Sequence, residues 1–530
     1  MIISTLLLLA SSALAVSEPE LTGDWAGWAY LDDGSDFPMR LHWRQTEEEL
    51  TGTWDIPPNR LSGLALDGIT WEAPRIRFSH RLSGSLLFDF EGALDEAERT
   101  IAGTFRTSDG RAGQFQVHRS DVPLPGVDPD SYASLEGLWA IGENRRLKMT
   151  PRFWGEMVCF DTGTGRVGYL FPTSASTFVL GAARYVPSPT SAELTLKRDE
   201  AGEVTELSFR EPGEEPIVAE RVVLREEAVQ FENTGVTLSG TLLHPSSSGR
   251  RAAIVYVGGS DWTTRDVVRE RAELLASLGL SVLIYDRRGS GESAGEQNVP
   301  FRVTAEDARA AVRMLRKRDD IDPRRIGIYG TSRGGWIAPL AAAGHPEIAF
   351  LMLIVAPAVS PAEQETSRRL DLLRSQGASK ETVAEAAKLL QSVWEHGRGG
   401  ITAPEYRRVL ERIEARGWTE ILEPPAEADH EEWRWITWNM FHDPLPILQR
   451  LECPVLAIYG SADRVVAPEI NEPLMIDALK KNENATVKVI PGADHGFGLV
   501  EEGVRFHQRH GEAPGVWPTI ARWLRLHDLR

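Results

Sequence analysis

The 530-residue chain has only two cysteines, Cys159 and Cys453, and neither lies in a spacing typical of a zinc or redox site. Basic residues are in deficit as well, because the formal net charge is −19 at pH 7. Proteins that bind nucleic acid need a basic surface, so this charge argues against a nucleic-acid partner. The acidity indicates a well-solvated surface.

Long apolar runs are scarce too. The run at residues 2–9 is too short to span a membrane, and the small residues at 11–15 follow it. This pattern predicts a signal peptide over residues 1–15 with cleavage after Ala15, although a basic segment is almost absent beyond the amino terminus. We expect a secreted or periplasmic protein without a membrane span. A buried N-terminal strand is the alternative.

A chain of this length exceeds what one hydrophobic core usually supports, so at least two domains are expected. Residues 18–225 contain short alternating runs broken by glycine and aspartate, which predict antiparallel strands. The segment 21–25 is echoed at 135–139, and a proline-rich stretch at 122–129 lies between them. We predict two β-rich domains, 18–122 and 131–225. Their tryptophans could form a sugar-stacking face, but burial in a core is the commoner role.

The most informative motif is Gly330-Thr331-Ser332-Arg333-Gly334-Gly335, which follows the apolar run 326–329 and precedes a helical stretch. A strand, a sharp turn and a helix around G-x-S-x-G place the serine in a strained conformation with its hydroxyl exposed. Small neighbours are then required at Gly330 and Gly334. Ser332 is the candidate nucleophile, and an inert serine in a tight turn is the alternative.

An acid and a base are expected downstream, because a serine hydroxyl needs a base to take its proton and the base needs a carboxylate to orient it. Asp463 follows the apolar run 454–459, and His495 follows the strand-like run 485–490. Asp463 is preferred as the acid over Asp494, whose side chain is expected to point away from the adjacent histidine. It is also preferred over Asp443, which has no strand before it.

Oxyanion donors are expected from two loops. One donor is the backbone N–H of Arg333, and the other is Gly259 or Ser260, after the apolar run 252–257. An ordinary Gly-Gly turn is the alternative for the second loop. The glycine cluster at 286–293 is not a dinucleotide loop, because its third glycine is Gly295, one place too late.

Residues 226–530 predict an α/β fold, a doubly wound sheet in which short apolar strands alternate with amphipathic helices. The strands are expected at 227–232, 236–243, 252–257, 280–285, 325–330, 349–355, 454–459 and 485–490. A helical stretch at about 360–446, with four clustered tryptophans, interrupts the alternation. We predict a helical cap over the site, which would shape the substrate pocket.

These motifs, together with Gly258-Gly259-Ser260, Gly460-Ser461-Ala462-Asp463 and Asp494-His495-Gly496, resemble the secreted bacterial α/β-hydrolase esterases related to dienelactone hydrolases and acyl-aminoacyl peptidases. The resemblance spans about 300 residues. It implies a cofactor-free and metal-free serine carboxylester hydrolase, preceded by an N-terminal β-rich region, with Ser332 as nucleophile, Asp463 as acid and His495 as base. Many relatives carry Gly-Ser-Gly-Pro or His-Gly where this chain has Gly258-Gly259-Ser260.

The function expected from the sequence is hydrolysis of small or short-chain acyl esters through an acyl-enzyme. A serine peptidase or aminoacyl hydrolase with the same triad is one alternative, although residues 18–225 lack the repeated blades of a β-propeller peptidase. A glycan-binding or cell-wall-binding protein with a vestigial site is another. The natural ester and the oligomeric state do not follow from the sequence.

Overall fold

A computed structural model of the chain describes residues 20–33, 35–46, 49–56, 61–82, 86–120, 133–151, 156–181, 186–200, 204–245, 249–260, 264–426, 430–500 and 511–530. The predicted signal peptide at 1–15 and the predicted linker at 122–129 lie outside these residues. The chain divides into two compact units: Met1–Ser134 with Pro151–Met157 and Gly168–Pro216, and Leu135–Thr150 with Val158–Val167 and Ile217–Arg530.

The first nine strands form one antiparallel sheet in the order β4-β3-β2-β1-β9-β8-β7-β6-β5. They are β1 (Gly23–Leu31), β2 (Asp36–Gln45), β3 (Leu50–Ile56), β4 (Leu61–Ala65), β5 (Asp67–Glu72), β6 (Arg75–Leu82), β7 (Leu86–Leu94), β8 (Thr100–Thr107) and β9 (Ala112–Arg119). Side chains on β6 and β7 alternate between buried and exposed, as expected for strands with one face against a core. Aromatic side chains, including Trp54, Phe90 and Phe115, fill that core.

The next eight strands form a closed barrel in chain order. They are β10 (Gly137–Ile141), β11 (Arg145–Pro151), β12 (Met157–Asp161), β13 (Val167–Pro172), β14 (Thr177–Gly181), β15 (Ala192–Arg198), β16 (Val204–Arg210) and β17 (Ile217–Val222). The antiparallel β-rich region expected from the alternating runs is therefore present.

The sequence echo between residues 21–25 and 135–139 is also an echo of local structure. The indole N–H of Trp25 donates to the carbonyl of Leu21 at 3.0 Å, and that of Trp139 donates to the carbonyl of Leu135 at the same distance. An arginine lies over each indole, Arg119 at 4.7 Å and Arg221 at 5.3 Å from the ring centroid. Both tryptophans are fully buried. Their place in these motifs is structural, which favours the core role over a sugar-stacking face.

The last eight strands form a mostly parallel sheet in the order β18-β19-β21-β20-β22-β23-β24-β25. They are β18 (Leu224–Asn233), β19 (Val236–Pro245), β20 (Arg251–Val257), β21 (Ser281–Tyr285), β22 (Ile321–Thr331), β23 (Phe350–Ile354), β24 (Val455–Gly460) and β25 (Ala485–Ile490). The pairs β18–β19 and β19–β21 are antiparallel, and the others are parallel. Strands β21, β23 and β24 are buried along their whole length, which explains their continuous apolar sequences. The predicted doubly wound sheet is confirmed.

Eleven helices are described in this half of the chain. They are α1 (Arg269–Ser277), α2 (Phe301–Leu315), α3 (Gly334–Ala342), α4 (Pro361–Ser375), α5 (Lys380–Gly397), α6 (Ala403–Ala415), α7 (Thr419–Leu422), α8 (His430–Asn439), α9 (Leu445–Leu448), α10 (Pro468–Leu479) and α11 (Val516–Leu526). Helix α2 begins three residues earlier than the amphipathic pattern at 304–317 indicates. None of the described helices is long and apolar enough to cross a membrane.

Helices α4 to α8 share a hydrophobic core of their own, which includes Leu390, Tyr406 and Ile413. Helix α4 begins with a capping box: the Ser360 N–H donates to the Glu363 carboxylate at 2.9 Å, and the Glu363 N–H donates to the Ser360 hydroxyl at 3.3 Å. These helices occupy the stretch between β23 and β24, where the sequence predicts a cap.

The loop after β21 is held by buried charged groups. Asp286 accepts hydrogen bonds from the backbone N–H groups of Arg265 at 2.8 Å and Glu292 at 2.9 Å. Arg288 Nε donates to Asp307 on α2 at 3.0 Å, and both side chains are less than 10% exposed. Asp286 and Arg288 in this glycine-rich loop therefore have a structural role.

We expect Asp307→Ala to lower the free energy of unfolding by about 3–5 kcal/mol, because it leaves the buried Arg288 without its carboxylate. Denaturant titration of parent and variant measures the change. Asp319→Ala is the matched control, since Asp319 is fully exposed and lies 3.9 Å from Arg250. Equal unfolding midpoints for the two variants would contradict the structural role of the Arg288–Asp307 pair.

Candidate active site

Ser332 lies in a sharp turn between β22 and α3. Its φ angle is +52°, in the left-handed region that residues with side chains rarely adopt. The backbone packs too closely there for larger neighbours: a Cβ on Gly330 would lie 2.5 Å from the Gly334 carbonyl oxygen, and one on Gly334 would lie 2.2 Å from that of Val257. The steric requirement inferred from the motif is therefore present in the structure.

His495 lies between Ser332 and Asp463. Its Nε2 is 3.0 Å from the Ser332 hydroxyl oxygen, and its Nδ1 is 2.8 Å from Asp463 Oδ2. The Asp463 side chain is fully buried, and its other oxygen accepts hydrogen bonds from the backbone N–H groups of Val465 and Val466, both at 2.8 Å. The three residues selected from the sequence thus form one hydrogen-bonded chain, in the geometry of a nucleophile, a base and an orienting acid.

The two rival carboxylates have other partners. Asp494 accepts hydrogen bonds from the backbone N–H groups of Gly496 at 2.9 Å and Gly498 at 2.7 Å, which shapes the loop that carries the histidine. Asp443 accepts a hydrogen bond from the Leu445 N–H at 3.0 Å, at the start of α9. The hydrogen bonds described for the His495 ring go to Asp463 and Ser332 and not to either of these carboxylates.

The backbone groups expected to bind the oxyanion lie at the ends of neighbouring strands. Gly259 and Ser260 follow β20, and Arg333 follows the nucleophile at the end of β22, which pairs with β20. Among the described residues, no backbone carbonyl accepts from the N–H groups of Arg333, Gly259 or Ser260. Among the described residues these N–H groups thus have no backbone acceptor, and their assignment as oxyanion donors stays a prediction. Asp261 and Trp262, the next residues of the loop, lie outside the described residues.

A cavity of about 170 Å³ adjoins these groups. Ser260 and Arg333 line it, together with aromatic side chains that include Phe301, Trp336 and Trp435. Phe301 stacks on Trp336 at 5.8 Å between ring centroids and meets Trp435 edge-on at 6.3 Å. The cap contributes much of the wall, so it borders a pocket beside the candidate nucleophile.

The sequence did not reveal most of this wall. Of the tryptophans noted in the cap, Trp435 lines the cavity, Trp418 and Trp433 belong to the cap core, and Trp438 is 41% exposed. Helical periodicity did not separate these roles, because Trp433, Trp435 and Trp438 lie on the same helix, α8, and have three different environments. Phe301 lies outside all of the sequence motifs described above.

Metal-binding and redox chemistry find no support in the residues described. No group of three or more histidine, cysteine, aspartate or glutamate side chains there could hold a metal ion. Cys159 and Cys453 are free thiols, and burial raises the pKa of Cys453 to about 11. A thiol with such a pKa is a poor nucleophile at neutral pH.

Residues 242–509, about half of the chain, match the model of the alpha/beta hydrolase family. The chain belongs to the alpha/beta hydrolase family. The match contains β20 to β25 and all three residues of the hydrogen-bonded chain. The fold and the alpha/beta hydrolase family expected from the motifs are thus confirmed, and the secreted esterase branch of that family stays a prediction.

Three individual proteins that resemble this chain have low sequence identity to it, between 17% and 33%. It is 25% identical over 346 residues to Esterase EstD of Thermotoga maritima, a match that covers 63% of this chain and 76% of EstD. It is 33% identical over 126 residues to the quorum-quenching protein AidA of Acinetobacter baumannii, which covers 23% of this chain and 41% of AidA. Among solved structures, Esterase Pf2001 of Pyrococcus furiosus gives a TM-score of 0.38 at 17% identity, covering 57% of this chain and 91% of that one.

We expect Gly334→Ala to destabilise the hydrolase by about 3 kcal/mol, because the added methyl group would press on the Val257 carbonyl. Gly344→Ala is the control: Gly344 lies just after the other end of α3, has a φ of +78° and would place its Cβ in open space. We expect about 1 kcal/mol for that variant, from backbone strain alone. Guanidinium titrations give both values, and equal losses would contradict the importance of the close packing at Gly334.

Proposed function

We propose that this alpha/beta hydrolase is a serine carboxylester hydrolase that forms an acyl-enzyme on small or short-chain acyl esters. The observation that carries the proposal is the chain of hydrogen bonds from Asp463 through His495 to Ser332, at 2.8 and 3.0 Å. It ends on a serine that the turn after β22 holds in a left-handed conformation.

The first half of the reaction is acylation. As the Ser332 hydroxyl oxygen attacks the ester carbonyl carbon, its proton passes to Nε2 of His495. The buried carboxylate of Asp463 stabilises the imidazolium through its hydrogen bond with Nδ1. The carbonyl oxygen becomes an oxyanion and accepts hydrogen bonds from the N–H of Arg333 and from Gly259 or Ser260. Collapse of this intermediate expels the alcohol, which takes the proton from His495.

The second half repeats these steps with water. His495 takes a proton from a water molecule, and the resulting hydroxide attacks the acyl-enzyme carbonyl. The same N–H groups bind the second oxyanion. The acid product leaves, and the proton returns from His495 to the Ser332 oxygen. Every proton transfer in this cycle uses one nitrogen, Nε2, which lies 3.0 Å from the serine.

Esters are proposed over amides because of the relatives. EstD, which aligns with 63% of this chain, is named as an esterase. The small cavity of about 170 Å³ is also better suited to a short acyl or alcohol group than to a peptide chain.

We expect Ser332→Ala to lower the turnover of 4-nitrophenyl acetate and butyrate by about 10⁴-fold or more, because the nucleophile is removed. A fluorophosphonate probe should label the parent and leave the variant unlabelled. Turnover and labelling are measured on the purified protein by absorbance and by mass spectrometry.

Two further variants sharpen this test. Ser375→Ala is the matched control, because that hydroxyl donates to the Leu372 carbonyl at 2.7 Å on the exposed side of α4. It should keep full turnover and labelling. Asp463→Asn should fold and lose about 10⁴-fold in kcat, since an amide disfavours the required tautomer of His495. Faster cleavage of the matching 4-nitroanilides than of the esters would favour the peptidase alternative, and an unlabelled parent would favour a binding protein.

We also propose export to the periplasm or the medium, on the strength of the apolar and small-residue pattern at 1–15. The protein purified from its native host should begin at Val16. N-terminal sequencing measures this directly, and a mature protein that still begins at Met1 would rule out cleavage.

A further inference from the structure

Two arginines have buried N–H groups without acceptors among the described residues: Arg333, which follows the candidate nucleophile, and Arg287, whose charge acts on Arg333. The Nε of Arg333, and the Nε and Nη1 of Arg287, are buried and make no hydrogen bond in the described part of the chain. Buried guanidinium groups are costly to leave unpaired, because each loses its hydration and gains no acceptor in return. The contacts described above for the turn at Ser332 and for the loop after β21 do not involve these two side chains.

The neighbours of Arg287 make this contrast sharp. In the run Asp286-Arg287-Arg288, Asp286 accepts two backbone N–H groups and Arg288 is paired with Asp307. Arg287 lies between them and has no carboxylate partner among the described residues. The loop is therefore fixed by the residues on either side of Arg287, and not by Arg287 itself.

Arg333 lines the cavity and stacks against aromatic rings. Its guanidinium carbon lies 5.4 Å from the ring centroid of Phe301 and 5.6 Å from that of Trp435. The two rings are inclined at 77° to each other, so the flat face of the guanidinium group can lie parallel to only one of them. The N–H donors lie in the plane of the group and point outward from its edge, so stacking leaves them available to an acceptor. The rings thus hold the cation in place without neutralising it.

The carboxylates of the cavity wall act on a different arginine. Glu365 accepts a hydrogen bond from Arg368 at 2.9 Å and lies 3.5 Å from Arg369. Both Glu365 and Glu432 raise the pKa of Arg369 against the larger effect of burial. For Arg333, burial and, to a smaller extent, the positive charge of Arg287 together lower the pKa to about 10. Arg333 is still protonated at neutral pH, and the nearby charge that acts on it has the same sign.

We propose that the substrate of this site is an ester that carries a carboxylate a few bonds from the scissile carbonyl, and that the N–H edge of Arg333 binds this carboxylate inside the cavity. The planar donors of arginine match the two oxygens of a carboxylate, and a cation in the wall with no carboxylate partner among the described residues suits one negative charge. Arg287 adds positive potential at Arg333. This inference rests on the ester hydrolase function proposed above and names its substrate class.

The test compares esters that differ in one charge. Mono-4-nitrophenyl esters of glutarate, adipate and suberate carry the carboxylate on the acyl side, and the matching ω-carboxamides are the neutral controls. For the alcohol side, 4-acetoxybenzoate is compared with 4-acetoxybenzamide. We expect kcat/KM of the parent to favour the carboxylate in one of these arms by about 10- to 100-fold, the usual size of a charged hydrogen bond. The arm that shows the preference assigns the carboxylate to the acyl or to the alcohol part.

Substituting the arginines shows which side chain causes the preference for the carboxylate. In Arg333→Gln the ratio of the two kcat/KM values should fall to about one, whereas Arg333→Lys should restore part of it because the charge returns. Arg287→Gln should lower the ratio by a smaller factor. Arg398→Gln is the matched control: this arginine also stacks on an aromatic ring of the cap, 4.3 Å from the centroid of Phe441, and does not line the cavity. Its ratio should equal that of the parent.

Failure of this inference differs from failure of the proposed function. Ester turnover that depends on Ser332 but shows no preference for a carboxylate in either arm would overturn the inference and keep the function. A preference that survives Arg333→Gln would overturn it too. If no ester is turned over, calorimetric titration of the parent with adipate and with adipamide decides: adipate binding that disappears in Arg333→Gln supports carboxylate recognition, and absence of binding refutes it. Thermal unfolding of each variant verifies that it is folded.

Discussion

The geometry of the site depends on one strained residue, Ser332, and on the packing that holds it in the left-handed region. A non-glycine residue with φ near +52° costs about 1–2 kcal/mol, so the surrounding structure must supply that energy. Two neighbouring strands do so. On one side, Gly334 lies so close to the Val257 carbonyl that no side chain fits between them. On the other side, the Ser332 N–H donates to the Ile354 carbonyl at 2.9 Å. Because β20 and β23 flank β22, the order of the sheet is what keeps the serine exposed.

The same sheet order brings the acid and the base to that serine. Asp463 and His495 follow β24 and β25, whose carboxyl ends share an edge with the end of β22. Backbone donors then fix the acid, because Val465 and Val466 hold one carboxylate oxygen and leave the other for the imidazole. The backbone of the sheet and its loops thus sets the reacting groups, whereas side chains of the cap form much of the pocket. This division allows the substrate to change without disturbing the chemistry.

The part of the fold that could be predicted from sequence is the part with local signals. Each parallel strand is a short apolar run, and Ser332, Asp463 and His495 each stand just after one, so both the sheet and the relation of these residues followed from pattern. The start of α2 could not be predicted from such a pattern. Phe301 enters the helix with its N–H bonded to the side chain of Asn439 at 2.7 Å, a partner 138 positions away that no local pattern reports. The cavity wall was missed for the same reason, because Phe301 and Trp435 meet through tertiary packing. The N-terminal antiparallel region was predicted from its alternation, whereas closure of β10 to β17 into a barrel depends on pairing between distant strands.

Arg333 belongs both to the backbone framework and to the pocket, because its backbone N–H is a candidate oxyanion donor and its side chain lines the cavity. The turn between β22 and α3 sets the position of the Arg333 backbone, and Phe301 and Trp435 contact its guanidinium group. Arg287 and Arg333 carry like charges in a partly buried site, so in the free protein they raise each other's free energy. An anionic group that binds between the rings and the oxyanion loop relieves this repulsion and satisfies buried donors at once. A neutral ester of the same shape gains neither. Conflict with the ordinary rules of burial is expected where a protein sacrifices stability for recognition, and in this chain the conflict is found one residue after the candidate nucleophile.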